Sequence, residues 1–280
     1  MLDSFAAAPY VKDNPRISYV EPDSSLVTKT IISSLEVLFG RRKIEAIYES
    51  LKADPFDVSL FFSNALTQAN IVPHYDAKQF DKIPKAGPLL FVANHPYGII
   101  DGMILCDLAL KARGDFRILL HSLLCQDRDL ARHFLPIDFN NTKAAMKTNI
   151  TSKKHAQKFL KDNIPMLIFP SGIVSTANKF GMGEVVDGPW STFAAKLIMD
   201  SQATVVPIFF HGQNSRKFHL ASHIAEPLRM ALLVHEAINK FNSTINLTIG
   251  DPIHWEAMKA INGRKSLTDY LYTKVQNAGN

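Results

Sequence analysis

Cysteine is scarce in this sequence. Cys106 and Cys125 are the only two, so no disulfide framework can staple the fold and cysteine alone cannot build a zinc ribbon. A reducing compartment is the expectation. Long apolar runs are also missing: none reaches the roughly 18 residues that a membrane-spanning helix needs. The opening MLDSFAAAPYVKDN has neither the basic start nor the apolar core of a secretory signal, which points to the cytoplasm. There is no internal repeat, no low-complexity segment, no P-loop and no dinucleotide fingerprint. Acidic charge is not in excess. The 31 Lys and Arg outnumber the 26 Asp and Glu, for a net charge of +5 and a pI near 9.1. That balance fits an anionic partner such as a lipid surface, an acidic carrier or nucleic acid. Hydrophobic residues make up 46% of the 280, which excludes a disordered chain and allows a core without staples.

Along the chain, residues 1–24 are irregular, with Pro9, Pro15 and Pro22. From Ser24 to Leu51 apolar residues recur at helical spacing, interrupted at Gly40 and the basic cluster Arg41, Arg42 and Lys43. This predicts two helices with a corner at Gly40, and a third over 55–70. After Pro84 the pattern changes to short apolar runs: Leu89–Ala93, Phe116–Leu120, Met166–Phe169, Val205–Phe210 and Ile245–Ile249. Helical stretches lie between them at Gly102–Lys111, Lys143–Lys161, Trp190–Met199 and Leu228–Lys240. Alternating strands and helices predict an α/β domain. Continuously apolar strands predict a mostly parallel, twisted sheet covered on both faces. The expected organisation is an N-terminal helical extension over 1–80 and an α/β domain over 81–280.

The stretch richest in chemistry is Phe91-Val-Ala-Asn-His-Pro-Tyr-Gly-Ile-Ile-Asp-Gly102. A buried strand ends at Ala93, which puts Asn94 and His95 at the sheet edge where α/β proteins bind ligands. Gly98 can take the positive φ of a sharp turn. Asp101 falls at the start of the next helix, where it can hold one ring nitrogen of His95 while the other accepts a proton. Asp101 is equally suited to capping that helix, and His95 to being an ordinary loop histidine. Two further strand ends follow. Ile168-Phe-Pro-Ser-Gly-Ile-Val-Ser175 turns through Pro170 and Gly172, where successive N–H groups can meet an oxygen anion. Val205-Val-Pro-Ile-Phe-Phe-His-Gly-Gln-Asn-Ser215 has a proline inside an apolar strand, which reads as an edge or bulge.

Together these ordered motifs resemble the lysophospholipid acyltransferase superfamily over roughly residues 85–255. The nearest pattern is its hemolysin-related branch, which includes lyso-ornithine-lipid acyltransferase-like proteins. The resemblance implies His95 as catalytic base and Asp101 as its orienting acid. It implies an acceptor-facing block at Phe169, Pro170, Ser171 and Gly172, and an acyl-facing block at Val206, Pro207 and Ile208. Asn94 and Gly98 shape the loop and count among the expected substrate-binding residues. Five residues separate His95 from Asp101, one more than in the commonest pattern and like the hemolysin-related branch. Ser171 stands where that pattern has glutamate, and Ile173-Val174 where it has Thr-Arg. Phe139 stands after Asp138, where an arginine is usual. Arginine is the natural phosphate clamp, so its absence turns the expectation from phosphate-bearing acceptors to a lyso-aminolipid or another lysolipid, unless Lys179 or Arg216 substitutes. The implied reaction moves a fatty acyl group from an acyl carrier protein or coenzyme A thioester to a lysolipid hydroxyl in a membrane surface. It needs no metal and no cofactor, with backbone N–H groups near Gly172 as oxyanion donors. The implied location is peripheral on the inner face of the cell membrane.

Other readings make different predictions. A serine hydrolase would use Ser171, although Phe-Pro-Ser-Gly-Ile lacks the first glycine of a nucleophile elbow. His219 and His223 are spaced like metal ligands on a helix, without an intervening glutamate. The basic pairs Lys153–Lys154 and Arg216–Lys217, with Arg41–Lys43, fit a non-catalytic lipid-binding module. No aromatic residues are interleaved with them for stacking on nucleic acid. The apolar helix Val27–Leu38 followed by Arg41–Lys43 fits a membrane-surface helix.

Overall fold

The computed structural model describes residues 6–15, 18, 25–53, 56–177, 181, 183–224 and 226–279. Seven strands form one sheet: β1 Ile71–His74, β2 Leu89–Ala93, β3 Arg117–His121, β4 Phe134–Ile137, β5 Met166–Ile168, β6 Thr204–Phe210 and β7 Ser243–Ile249. Their spatial order is β1-β7-β6-β2-β5-β3-β4. All neighbours pair in parallel except β6 and β7. The helices are α1 Leu26–Leu38, α2 Arg41–Leu51, α3 Val58–Gln68, α4 Ala77–Asp81, α5 Ile99–Arg113, α6 Lys143–Lys161, α7 Phe193–Ser201, α8 Arg216–Ile224, α9 Glu226–Asn239, α10 Trp255–Met258 and α11 Arg264–Ala278. The expected α/β architecture with a mostly parallel sheet is therefore the one observed.

Both faces of the sheet are covered, and β2 shows how. Its alternate residues Leu89, Phe91 and Ala93 pack with Phe61 and Phe62 of α3 and Ile104 of α5. Leu90 and Val92 face the other way, onto Ala156 and Leu160 of α6, Leu197 of α7 and Leu271 of α11. All five β2 residues are buried, as strands covered on both sides must be.

The helical front shares the first of these cores. Phe61, Phe62 and Leu66 pack in it, and β1 hydrogen-bonds in register to β7. The expected division at residue 80 thus falls inside one packed body. The corner at Gly40 is present: its φ of +95° turns α1 into α2. Arg41 is not part of a solvent-facing cluster. It is buried, with Nη1 2.9 Å from Glu36 Oε2 and Nε 3.1 Å from Glu45 Oε1. Only Arg42 and Lys43 are exposed there.

Pro207 is not at an edge, because β6 lies between β2 and β7. It sits where the ladder to β7 breaks, its carbonyl accepting from Gly250 N at 2.8 Å. A proline costs no ladder hydrogen bond at such a gap. Val206 and Pro207 pair with Phe91 and Val92, inside the sheet, and are not among the residues that line the cavity described next.

Candidate active site

The site grows from the end of β2. Asn94 closes the strand: its Nδ2 donates to Phe210 O at 3.0 Å and its Oδ1 accepts from Phe210 N at 2.7 Å. Both polar ends are therefore committed to β6, and Asn94 anchors the loop rather than facing a ligand. Gly98 then turns the chain with φ +77°, and a Cβ there would come within 3.1 Å of Val174 and 3.2 Å of Leu233. Helix α5 starts at the next residue. Its first turn leaves backbone N–H groups without helical partners.

Asp101 fills that need and one more. Its Oδ2 accepts from Tyr97 N at 2.7 Å, Gly98 N at 3.0 Å and His95 Nδ1 at 3.1 Å. Capping the helix and holding the imidazole are thus performed by the same oxygen. The carboxylate is fully buried, and burial pushes its pKa up against the three donors that lower it. Because Oδ2 accepts from two backbone amides, it also accepts from His95, which puts the imidazole proton on Nδ1. Nε2 is left with a lone pair that can take a proton.

The His95 ring stacks on Phe169 at the end of β5, with centroids 3.9 Å apart and planes 20° from parallel. Its main chain is fixed separately. Asp187 Oδ1 accepts from His95 N at 3.2 Å and from the Ser175 hydroxyl, and Asp187 Oδ2 accepts from Trp190 Nε1 at 2.9 Å. His95 O accepts from Ser175 N at 2.8 Å. Asp187 carried no signal in the sequence. It lies 92 positions from His95, in a loop without a motif. The Tyr97 hydroxyl donates to His211 O at 2.5 Å, with burial raising its pKa to about 12.

His95 lines a cavity of about 560 Å³, within the range of small-molecule sites. Gly98, Phe169, Pro170, Ser171 and Gly172 line it too, so the expected acceptor-facing block shares the cavity with His95. The remaining wall is mainly apolar. It runs through Met103 and Phe134 to Ile47 and Tyr48 of α2 and Phe61 of α3. The contribution of the helical front was not legible in its sequence. Cys106 lines the wall as a thiol whose pKa burial pushes up, and Cys125 is buried nearby. Trp190 packs edge-on against Tyr272 and is not part of the wall.

Several expected roles change at this resolution of detail. The Gly172 amide donates to Phe169 O at 2.9 Å, so that N–H is spent within the turn and is no oxyanion donor. The Ser171 hydroxyl donates to Ile173 O at 2.8 Å, and the described partner of His95 Nδ1 is Asp101. No nucleophile–base pair between Ser171 and His95 is formed. His219 Nδ1 accepts from Ala177 N at 3.3 Å, and His223 Nε2 donates to Ala177 O at 3.0 Å. These histidines pin a loop, and the described residues contain no cluster that could hold a metal. Lys179 lies outside the described residues, and Arg216 is exposed at the start of α8.

Two lyso-glycine lipid O-acyltransferases are similar to the chain. The protein of Phocaeicola vulgatus is 32% identical over 189 residues, and that of Bacteroides thetaiotaomicron 30% identical over 189. Each match takes in 65% of this chain, which spans 64% and 66% of the respective relatives. The solved 1-acyl-sn-glycerophosphate acyltransferase PlsC of Thermotoga maritima overlays 90% of this chain and 95% of its own, at 13% identity and a TM-score of 0.43. A family model described as Acyltransferase matches residues 61–275, a span that holds the His95–Asp101 pair, its cavity block and the sheet that carries both; the chain belongs to that acyltransferase family.

Proposed function

We propose that the protein transfers a fatty acyl group from a thioester carrier to the hydroxyl of a lysolipid. The observation that carries this reading is a His–Asp pair opening into a mainly apolar cavity. The acceptor hydroxyl oxygen attacks the thioester carbonyl while its proton passes to His95 Nε2. The new C–O bond forms, the C–S bond breaks, and the proton on His95 is available to the departing thiolate. Asp101 holds the ring and favours the imidazolium formed on the way. The carrier is acyl carrier protein or coenzyme A. The acceptor is best read as a lyso-aminolipid. The named relatives act on a lyso-glycine lipid, and Phe139 stands where a phosphate-clamping arginine would be.

The test offers purified protein labelled acyl carrier protein and acyl-coenzyme A against a panel of lysophospholipids and lyso-aminolipids. Acylated lipid is expected from wild type, with a loss of about 10²–10⁴ in kcat for His95→Ala. A folded His95→Ala variant with normal turnover would refute the assignment. Free fatty acid without acylated lipid, abolished by Ser171→Ala, would replace transfer with hydrolysis.

A further inference from the structure

Helix α6 carries six lysines and no acidic residue. Its inner side is Ala145, Ser152, Ala156 and Leu160, all buried. On its outer side Lys143, Met146, Lys147, Ile150, Lys153 and Lys154 follow one another at three- and four-residue steps and so share one stripe. Met146 is 63% and Ile150 48% exposed. Lys143, Lys147 and Lys154 have no ion-pair partner among the described residues. The stripe leads to the cavity. Lys153 and Phe139 are part of its lining, and Phe139 is 54% exposed. Ile173, on the same rim, is 42% exposed.

We propose that this face, from Phe139 along the outer side of α6, docks the protein on an anionic lipid surface. Bulky apolar side chains set among unpaired lysines suit a boundary where phosphates lie above hydrocarbon. An acidic protein partner would satisfy the lysines but leave no reason for Met146 and Ile150 to project between them. The apolar residues Leu26, Val27 and Leu38 of α1 are exposed too. However, Arg41 beside them is buried against Glu36 and Glu45, and none of the described α1 side chains lines the cavity. Docking through α6 would bring the cavity's mouth to the bilayer. That consequence rests on the proposed acyl transfer to a lipid, whereas vesicle binding itself does not require turnover.

The experiment is co-sedimentation with vesicles of equimolar phosphatidylglycerol and phosphatidylcholine, compared with phosphatidylcholine alone. Wild type and inactive His95→Ala are expected to bind the anionic vesicles equally, and more weakly as salt rises. The triple reversal K143E/K147E/K154E is expected to weaken binding about a hundredfold or more, at the usual contribution of each base near an anionic surface. M146S/I150S is expected to weaken it while keeping the salt dependence. Circular dichroism and activity on detergent-dispersed acceptor should stay at wild-type level for both variants. The proposal is overturned if wild type does not bind or if K143E/K147E/K154E binds normally. It also fails if R42E/K43E is the variant that abolishes binding. A rise in KM for acyl carrier protein thioester with vesicle binding intact would overturn it as well, in favour of an acidic protein partner.

Discussion

The Asp101→Asn variant tests how the His–Asp pair works, and its outcome can be worked from three distances. Oδ2 accepts from Tyr97 N at 2.7 Å, Gly98 N at 3.0 Å and His95 Nδ1 at 3.1 Å. Asn has one oxygen and one NH₂ to place. If NH₂ took the Oδ2 position, it would face two buried N–H donors, at about 1–3 kcal/mol for each left unsatisfied. The amide oxygen is therefore locked at Oδ2, and NH₂ takes the place of Oδ1, which has no partner. His95 keeps its proton on Nδ1. What is lost is the negative charge opposite the imidazolium. A hydrogen bond to a charged group is worth about 1.5–3 kcal/mol, against roughly 1 for a neutral one. The difference, about 0.5–2 kcal/mol, predicts a loss in kcat of about 2- to 30-fold. By contrast, an Asp→Asn change that reverses the histidine tautomer in a hydrolase triad costs about 10⁴. Two stability effects oppose: burial pushes the Asp101 carboxyl up, so a neutral amide removes a desolvation cost, while the NH₂ at the partnerless Oδ1 position is a buried unsatisfied donor. The assays are steady-state acyl transfer, thermal unfolding and ¹⁵N NMR of the histidine tautomer. A folded Asp101→Asn variant as slow as His95→Ala would refute the locked-amide reasoning. Wild-type turnover would show that the charge contributes nothing.

Other expectations follow from the same loop and from the sheet. Asp187→Ala releases the His95 main chain, the Ser175 hydroxyl and Trp190 Nε1. It should lower kcat about 10- to 100-fold, as misplacement of a catalytic group does, with little change in KM; an unchanged kcat would show that Phe169 and Asp101 suffice. Asp115 is partly buried, which raises its pKa, but His133 and Arg117 outweigh burial and hold it well below the carboxylate range. Its stabilisation is present above about pH 4 and is lost as pH falls through the folded value. Asp115→Asn should therefore be less stable than wild type at neutral pH, with the gap closing in acid. Urea unfolding at several pH values measures this, and a gap independent of pH would contradict it.

The parts that were legible in the sequence are local ones. β2 announces itself as five consecutive apolar residues, and α6 as a periodic run behind Thr142, whose hydroxyl accepts from Ala145 N at 3.0 Å. The His95–Asp101 pair is local too, since one strand end and one helix start six residues apart place both. β1 and β4 were missed for physical reasons. Each is four residues with a proline, at an outer position of the sheet, and β1 buries only Ile71. Such strands are defined by their partner rather than by their own pattern. Arg41 reads as part of an exposed cluster until the corner at Gly40 folds it back toward Glu36. Asp187 is invisible for the same reason, its meaning depending on a contact across 92 positions.

The cavity extends this distinction between local and distant determinants to specificity. The block shared with the acyltransferase family spans residues 61–275 and contains His95, Asp101 and the Phe169–Gly172 turn. Glu45, Ile47, Tyr48 and Leu51 of α2 also line the cavity, yet they precede that block. Tyr48 is fixed there by its hydroxyl, which donates to the buried Asp127 carboxylate; burial first, and that hydrogen bond second, raise its pKa. The cavity that His95 opens into is therefore walled partly by residues outside the matched span. On the proposed acyl transfer, acyl selectivity should respond to substitutions in α2, which lines the cavity outside the matched span, without loss of the His95–Asp101 geometry.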